Sequence, residues 1–94
     1  MPGPHEMTAV DVQVIGDVQG VGFRFQAMRR AADLDVSGWI ANEDDGSVRA
    51  HLEGLGYRVD SMLDWMRAGT TGSHVRRVEV RPGGVEGIEG FRTR

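Results

Sequence analysis

The chain has 94 residues, 39% of them hydrophobic and 27% charged, and its formal net charge is -3; these values are typical of one globular domain. It contains no cysteine and no lysine, which excludes a disulfide framework, a thiolate nucleophile, a Schiff-base lysine and the lysine of a Walker-type phosphate loop. All 11 basic residues are arginine, and the acidic balance of the chain disfavours a general nucleic-acid surface.

The first residues of the chain are rich in proline and glycine and show no hydrophobic periodicity. We expect residues 1–8 to form a flexible tail and residues 9–94 to form the domain. The opening lacks the basic and apolar regions of a signal peptide, and no apolar run approaches the roughly 20 residues that cross a bilayer. We therefore expect a cytoplasmic protein that binds no membrane and no nucleic acid, with a monomer as the default state.

The next part of the chain begins with a strand pattern and continues with a helix pattern. From Ala9 to Ile15, valines alternate with polar residues, which predicts a strand with one buried face. After a glycine-rich stretch, Phe25, Met28 and Ala32 recur at a spacing of three and four. This spacing predicts an amphipathic helix that packs through those side chains.

Two further strands, a helix and a strand complete the pattern. Residues 36–41 and 48–52 predict two strands joined by a turn at 42–46. A second helix is predicted between Gly56 and Gly69, and a strand from Val75 to Arg81. Phe91 begins a weak closing segment. The order βαββαβ predicts an α+β fold, a split β-α-β arrangement in which two helices pack on one face of an antiparallel sheet. The apolar face of the second helix is formed by Val59, Met62, Leu63 and Met66. The large side chains Trp39, Trp65 and Met28 are also expected to pack in the core.

The segment from Gly16 to Arg24 joins the first strand to the first helix. Its backbone N–H groups can converge where the helix begins, which is a natural anion site, and Gly20 and Gly22 are the expected points of curvature. The positive charge of Arg24 is unfavourable at the positive end of the helix dipole unless an anion is near. Its guanidinium can donate hydrogen bonds to two phosphate oxygens at once. Taken alone, such a loop is more often a tight connection. It is not a dinucleotide fingerprint, because Phe25 stands where that motif needs glycine.

Asn42 is the second candidate catalytic residue, at the end of the strand that carries Trp39. Its carboxamide offers both a donor and an acceptor, which suits the orientation of a water molecule. Asparagine is also a good turn former beside Asp45 and Gly46. Only its combination with Arg24 favours the catalytic interpretation.

Two motifs carry a specific resemblance. Val18–Arg24 and Gly38–Val48 resemble the two signature motifs of the acylphosphatase family, and Gly54 also matches the second signature. The resemblance implies a ferredoxin-like fold and the hydrolysis of acyl phosphates to a carboxylate and inorganic phosphate. It implies that Arg24 binds the phosphate and that Asn42 positions water. The loop residues expected to bind phosphate through their backbone are Val18, Gln19, Gly20, Val21, Gly22 and Phe23.

This chemistry needs few groups. The leaving carboxylate has a conjugate acid with a pKa of about 4, so that no general acid is required. Phosphoryl transfer depends mainly on positioning and charge stabilisation. We therefore expect no metal and no cofactor, and the three histidines have no spacing typical of metal ligands.

Three alternatives remain open at this point. The first is a non-catalytic ferredoxin-like module that binds a small anion or a partner through the same loop. The second is an RNA-binding sheet, which the 6% aromatic content and the acidic charge disfavour. The third is a domain cut from a larger carbamoyl- or acyl-transferring protein.

Within the loop, Asp17 departs from the family pattern, and an inward-pointing carboxylate there would weaken phosphate binding.

Overall fold

The structure is a computed structural model that describes residues 3–94. No helix in this range is long and apolar enough to cross a membrane. The first six elements confirm the predicted order βαββαβ, and a short seventh element follows. The elements are β1 (Met7–Asp17), α1 (Phe23–Leu34), β2 (Ser37–Asn42), β3 (Val48–Leu55), α2 (Gly56–Ala68), β4 (His74–Pro82) and β5 (Phe91–Thr93).

The strands form one sheet in the order β4-β1-β3-β2-β5. β1 runs antiparallel to both β3 and β4, and β2 runs antiparallel to β3. β5 instead runs parallel to β2, so the prediction of a purely antiparallel sheet is wrong at this edge. The reason is that the chain reverses direction after β4, and residues 83–90 carry it across to the opposite edge of the sheet. There it forms β5, which runs in the same direction as β2.

Both helices cover the same face of the sheet. The predicted inward face of β1 is confirmed at Val12 and Val14, and α2 buries all four residues of its predicted face. The predicted face of α1 is wrong, because Phe25 is 56% exposed. The buried residues of α1 are Phe23, Ala27 and Ala31. These residues recur at every fourth position from the first residue of the helix. The two alanines are small, so the helix can lie close to the sheet.

The opposite face of the sheet, which we call the open face, is mostly polar. Trp39 lies there, partly buried, and stacks on the ring of His51, so its predicted place in the core is wrong. Trp65 is partly buried against the core and packs on Phe23 with ring centroids 5.4 Å apart. Other side chains of the open face come from β1 and β3, and they are Asp11, Gln13, Arg49 and Glu53.

The predicted boundary between tail and domain is also corrected. β1 begins at Met7, two residues before the expected start. The carbonyl oxygens of Pro4 and Glu6 accept the N–H groups of Tyr57 and Gly56, which satisfies donors at the beginning of α2 that have no partner within the helix. Residues 1 and 2 lie outside the described part of the chain.

Candidate active site

The loop between β1 and α1 has the backbone geometry expected of an anion cradle. Gly20 and Gly22 have φ angles of 76° and 75°, a left-handed conformation that favours glycine. Gly22 is the N-cap of α1, and no side chain within residues 3–94 caps that helix end. In the same range, no backbone carbonyl accepts the N–H groups of Gly20, Val21 or Gly22. The loop therefore presents donors at the positive end of a helix dipole.

The side chain of Gln19 fixes this loop against the turn between β2 and β3. Its Nε2 donates to the carbonyl oxygen of Glu43 at 2.7 Å and to that of Ser47 at 2.9 Å. Asp45 stabilises the same turn, since its carboxylate accepts the N–H and the hydroxyl of Ser47. The sequence predicted only a backbone role for Gln19, because a contact across 24 residues leaves no local pattern.

Replacement of Gln19 by Glu tests this anchor. A carboxylate cannot donate to the two carbonyl oxygens and repels both of them, so we expect a loss of about 1–3 kcal/mol in the free energy of unfolding. The measurement is the midpoint of urea unfolding at neutral pH. Gln26→Glu, on the exposed surface of α1, is the matched control. Equal midpoints for the two variants would contradict the anchoring role.

Arg24 lies in the first turn of α1 and reaches the β2–β5 edge of the sheet. Its Nη1 donates to the main-chain oxygen of Arg94 at 2.7 Å. The N–H of Arg94 in turn donates to the carbonyl oxygen of Ile40, also at 2.7 Å. Ile40 stands two residues before Asn42 in β2. The fold therefore brings the Arg24 side chain to the corner where β2 ends.

Asn42 is exposed at the last position of β2, where its backbone pairs with Val48. Glu43, the next residue, accepts the hydrogen bond from Gln19, which holds the glycine loop beside the strand end. The contacts of Arg24 thus lead through Arg94 to Ile40, and those of the glycine loop lead to Glu43, so both reach β2 or its end within two residues of Asn42. The two sequence motifs predict that the loop, the arginine and the asparagine form one site.

Asp17 lies on the other side of the loop. It is exposed at the end of β1, opposite His74 of β4. Together with Arg76 and Arg77 it lines a groove of about 600 Å³ on the open face, which Arg24 and Asn42 do not line. β3 separates β1 from β2, and the groove that Asp17 lines also contains Val18 and Gln19 of the loop.

The chemistry that this corner favours is the binding of a tetrahedral oxyanion. Convergent N–H donors and a guanidinium fork both complement a phosphate group. An exposed carboxamide at the same corner can hold a water molecule by accepting one hydrogen bond and donating another. Binding of phosphate and orientation of water are the two functions that a hydrolytic site needs.

Known proteins share both the sequence pattern and the fold. The Acylphosphatase family model matches residues 10–93. An acylphosphatase of Nocardioides sp. is 46% identical over 87 residues, which cover 93% of this chain and 88% of the relative. The structure of an acylphosphatase from Coxiella burnetii superposes with a TM-score of 0.90 at 31% identity, over 94% of this chain and 93% of that one. For the acylphosphatase from Bacillus subtilis the TM-score is 0.88 at 30% identity, over 94% and 98% of the two chains.

Proposed function

The chain belongs to the acylphosphatase family, and we propose that this acylphosphatase hydrolyses its substrate at the corner formed by Arg24, Asn42 and the glycine loop. The reaction converts the carboxyl-phosphate mixed anhydride into a carboxylate and inorganic phosphate. The observation that supports the proposed site is the path of Arg24, whose Nη1 reaches the main-chain oxygen of Arg94 beside the end of β2.

The phosphate group is held by two kinds of donor. The guanidinium of Arg24 binds two phosphate oxygens and neutralises part of their charge. Because Gly20 and Gly22 curve the loop, successive N–H groups converge on the remaining oxygens. Such preorganised donors stabilise charge as it shifts in the transition state. The backbone groups assigned to this cradle belong to Val18, Gln19, Gly20, Val21, Gly22 and Phe23.

Asn42 orients the attacking water toward phosphorus. The water oxygen forms the new P–O bond while the bond from phosphorus to the acyl oxygen breaks, and its electron pair leaves with the carboxylate. One proton of the water passes to a phosphate oxygen. Because the leaving carboxylate is a weak base, it needs no proton from the protein. The site therefore works with orientation and charge stabilisation alone.

The finer properties of the protein remain predictions. We propose that the reaction requires no metal and no cofactor, because the N–H groups of the loop and the Arg24 guanidinium already bind the phosphate oxygens and stabilise their charge. We also propose that the protein acts as a cytoplasmic monomer on small acyl phosphates and binds no nucleic acid. Gel filtration at micromolar concentration tests the monomer directly.

Hydrolysis of benzoyl phosphate in the presence of excess EDTA tests the proposed activity. We expect steady turnover with release of benzoate and inorganic phosphate, at the same rate with and without EDTA. Binding of inorganic phosphate without any turnover would instead support the alternative, a non-catalytic ferredoxin-like anion-binding or partner-binding module. A rate that EDTA abolishes would contradict the metal-independent mechanism.

A further inference from the structure

A buried ion pair lies on the open face, away from the proposed reaction corner. The side chains of His51 and Glu53 on β3 are 2% and 1% exposed, and Nε2 of His51 lies 2.6 Å from Oε2 of Glu53. The other ring nitrogen, Nδ1, lies 2.8 Å from Oδ1 of Asp11 on β1. Since each nitrogen meets a carboxylate acceptor, the ring satisfies both contacts only when both nitrogens carry protons. The geometry therefore favours the imidazolium form.

The charges around the ring support this form. Burial lowers the pKa of His51, but the hydrogen bonds that His51 donates to Glu53 and Asp11 and the charges of Asp11 and Glu86 outweigh burial and raise this pKa above its ordinary value. Burial raises the pKa of Glu53, while its hydrogen bonds from His51 and from backbone N–H groups hold that pKa below its ordinary range. Arg81 on β4 lies opposite Asp11 in the sheet.

Glu53 also holds the segment that crosses from β4 to β5. Its carboxylate accepts the N–H groups of Glu86 at 2.6 Å, Gly87 at 3.1 Å and Ile88 at 3.3 Å. Further along, the carbonyl of Gly90 accepts the N–H of Gly38, and β5 begins at the next residue. Residues 83–90, which we call the crossover segment, are bound at their ends by backbone hydrogen bonds to Ala9 and Gly38. The middle of the segment is held by the buried Glu53 carboxylate.

Two routes lead from this ion pair to Arg94. Through the backbone, the crossover segment continues into β5 and ends at Arg94, whose main-chain oxygen accepts the hydrogen bond of Arg24. Through side chains, the ring of His51 stacks on Trp39 at 6.5 Å, and the guanidinium carbon of Arg94 lies 4.3 Å from the centre of the Trp39 ring. Both the main chain and the side chain of Arg94 therefore depend on groups that His51 and Glu53 hold.

We propose that His51 and Glu53 are positioning residues for Arg24. The imidazolium–carboxylate pair fixes the crossover segment and the Trp39 ring, and these place the oxygen of Arg94 where it orients the Arg24 guanidinium. This inference rests on the proposed role of Arg24. Loss of the second proton of His51 leaves a carboxylate facing a nitrogen lone pair and loosens the segment. Activity then declines as the pH rises through the raised pKa of His51.

A metal ion is the competing occupant of the cluster, because His51, Glu53 and Glu86 can present ligand atoms within 4.8 Å of one another. Two observations favour a hydrogen bond between His51 and Glu53 over a metal ion. The separation of 2.6 Å between Nε2 and Oε2 is a hydrogen-bond distance, whereas two ligands of a tetrahedral zinc ion stand about 3.3 Å apart. In addition, the Glu53 carboxylate already accepts three backbone N–H groups.

The pH profile of benzoyl phosphate hydrolysis from pH 6 to pH 9 tests the proposal. The wild type is in the active form below the raised pKa of His51. Above that pKa, kcat/KM is expected to fall about tenfold, which is less than the penalty of about 10²-fold for a displaced catalytic group. His51→Gln is expected to show a flat profile at the high-pH level of the wild type. His5→Gln, which removes an exposed histidine, is the matched control and keeps the wild-type profile. A His51→Gln variant with full activity and the same pH dependence would overturn the proposal.

A second variant and a second measurement separate this proposal from folding and from the proposed function. Asp11 is half exposed, with 53% of its side chain accessible, and Asp11→Asn is expected to move the pH dependence to lower pH without loss of the plateau. Amide hydrogen exchange at Glu86, Gly87 and Ile88 needs no activity: we expect protection in the wild type and faster exchange in His51→Gln.

The outcomes are distinguishable. If the wild type does not hydrolyse benzoyl phosphate, the proposed function fails. The exchange experiment still decides whether the His51–Glu53 pair fixes the crossover segment. Equal exchange rates in the wild type and His51→Gln would overturn the inference while leaving the hydrolysis intact. Added Zn²⁺ that raises the melting temperature of the wild type, but not that of His51→Gln, would also overturn it in favour of a metal.

Discussion

Substitution of Arg24 by Gln is expected to reduce kcat/KM for benzoyl phosphate by about 10³-fold or more, the range observed when an arginine that stabilises a transferring phosphoryl group is removed. The proposed site contains one guanidinium that spans the gap between α1 and the β2–β5 edge. Glutamine is shorter and uncharged, so it neither reaches both phosphate oxygens nor offsets their charge. We expect KM to rise and kcat to fall. The measurement is steady-state kinetics with benzoyl phosphate.

Stability measurements show whether this loss is catalytic. Arg24 is a positive charge in the first turn of a helix that has no acidic residue there, so its removal relieves an unfavourable interaction with the helix dipole. The variant should therefore unfold at the same urea concentration as the wild type or at a higher one. Arg29→Gln, on the exposed surface of α1, is the matched control. An Arg24→Gln variant with an unchanged KM would contradict the proposed phosphate contact.

Features that the sequence predicted correctly are those set by local chemistry. The alternation of valines predicted the buried face of β1, and the glycines at 20 and 22 predicted a loop with positive φ angles. The apolar spacing between Gly56 and Gly69 predicted α2 and its buried face. These patterns depend on neighbours within one turn of helix or two residues of strand, so the sequence contains them directly.

Features that the sequence did not predict depend on contacts between distant residues. Phe91 to Thr93 form a strand because β2 offers an unpaired edge, not because three residues carry a strand pattern. Glu53 and the N–H of Glu86 are 33 residues apart. Phe25 has the hydrophobicity of a core residue but lies on the outward side of α1, since the sheet contacts the face that contains Phe23. Only the tertiary arrangement decides among such alternatives.

Substitution of Asn42 by Ala is expected to reduce kcat by about 10²- to 10³-fold, the effect of removing one preorganised polar group from a reaction centre. KM should change by no more than about twofold, because a group that acts only in the transition state affects kcat and not the binding of the substrate. The residue stands at the exposed end of β2 and pairs with Val48 through its backbone, which alanine retains. Steady-state kinetics in parallel with inorganic phosphate inhibition will measure both effects.

Two further variants distinguish water orientation from charge. Asn42→Asp keeps the size and the acceptor oxygen but replaces the amide donor with a negative charge near the phosphate, so its kcat should fall at least as far and its KM should rise. Asp44→Ala, in the exposed turn two residues later, is the matched control and should leave both constants unchanged. If Asn42→Ala raised KM as strongly as Arg24→Gln while sparing kcat, Asn42 would be a phosphate ligand, and orientation of the water would fall to the loop and the substrate.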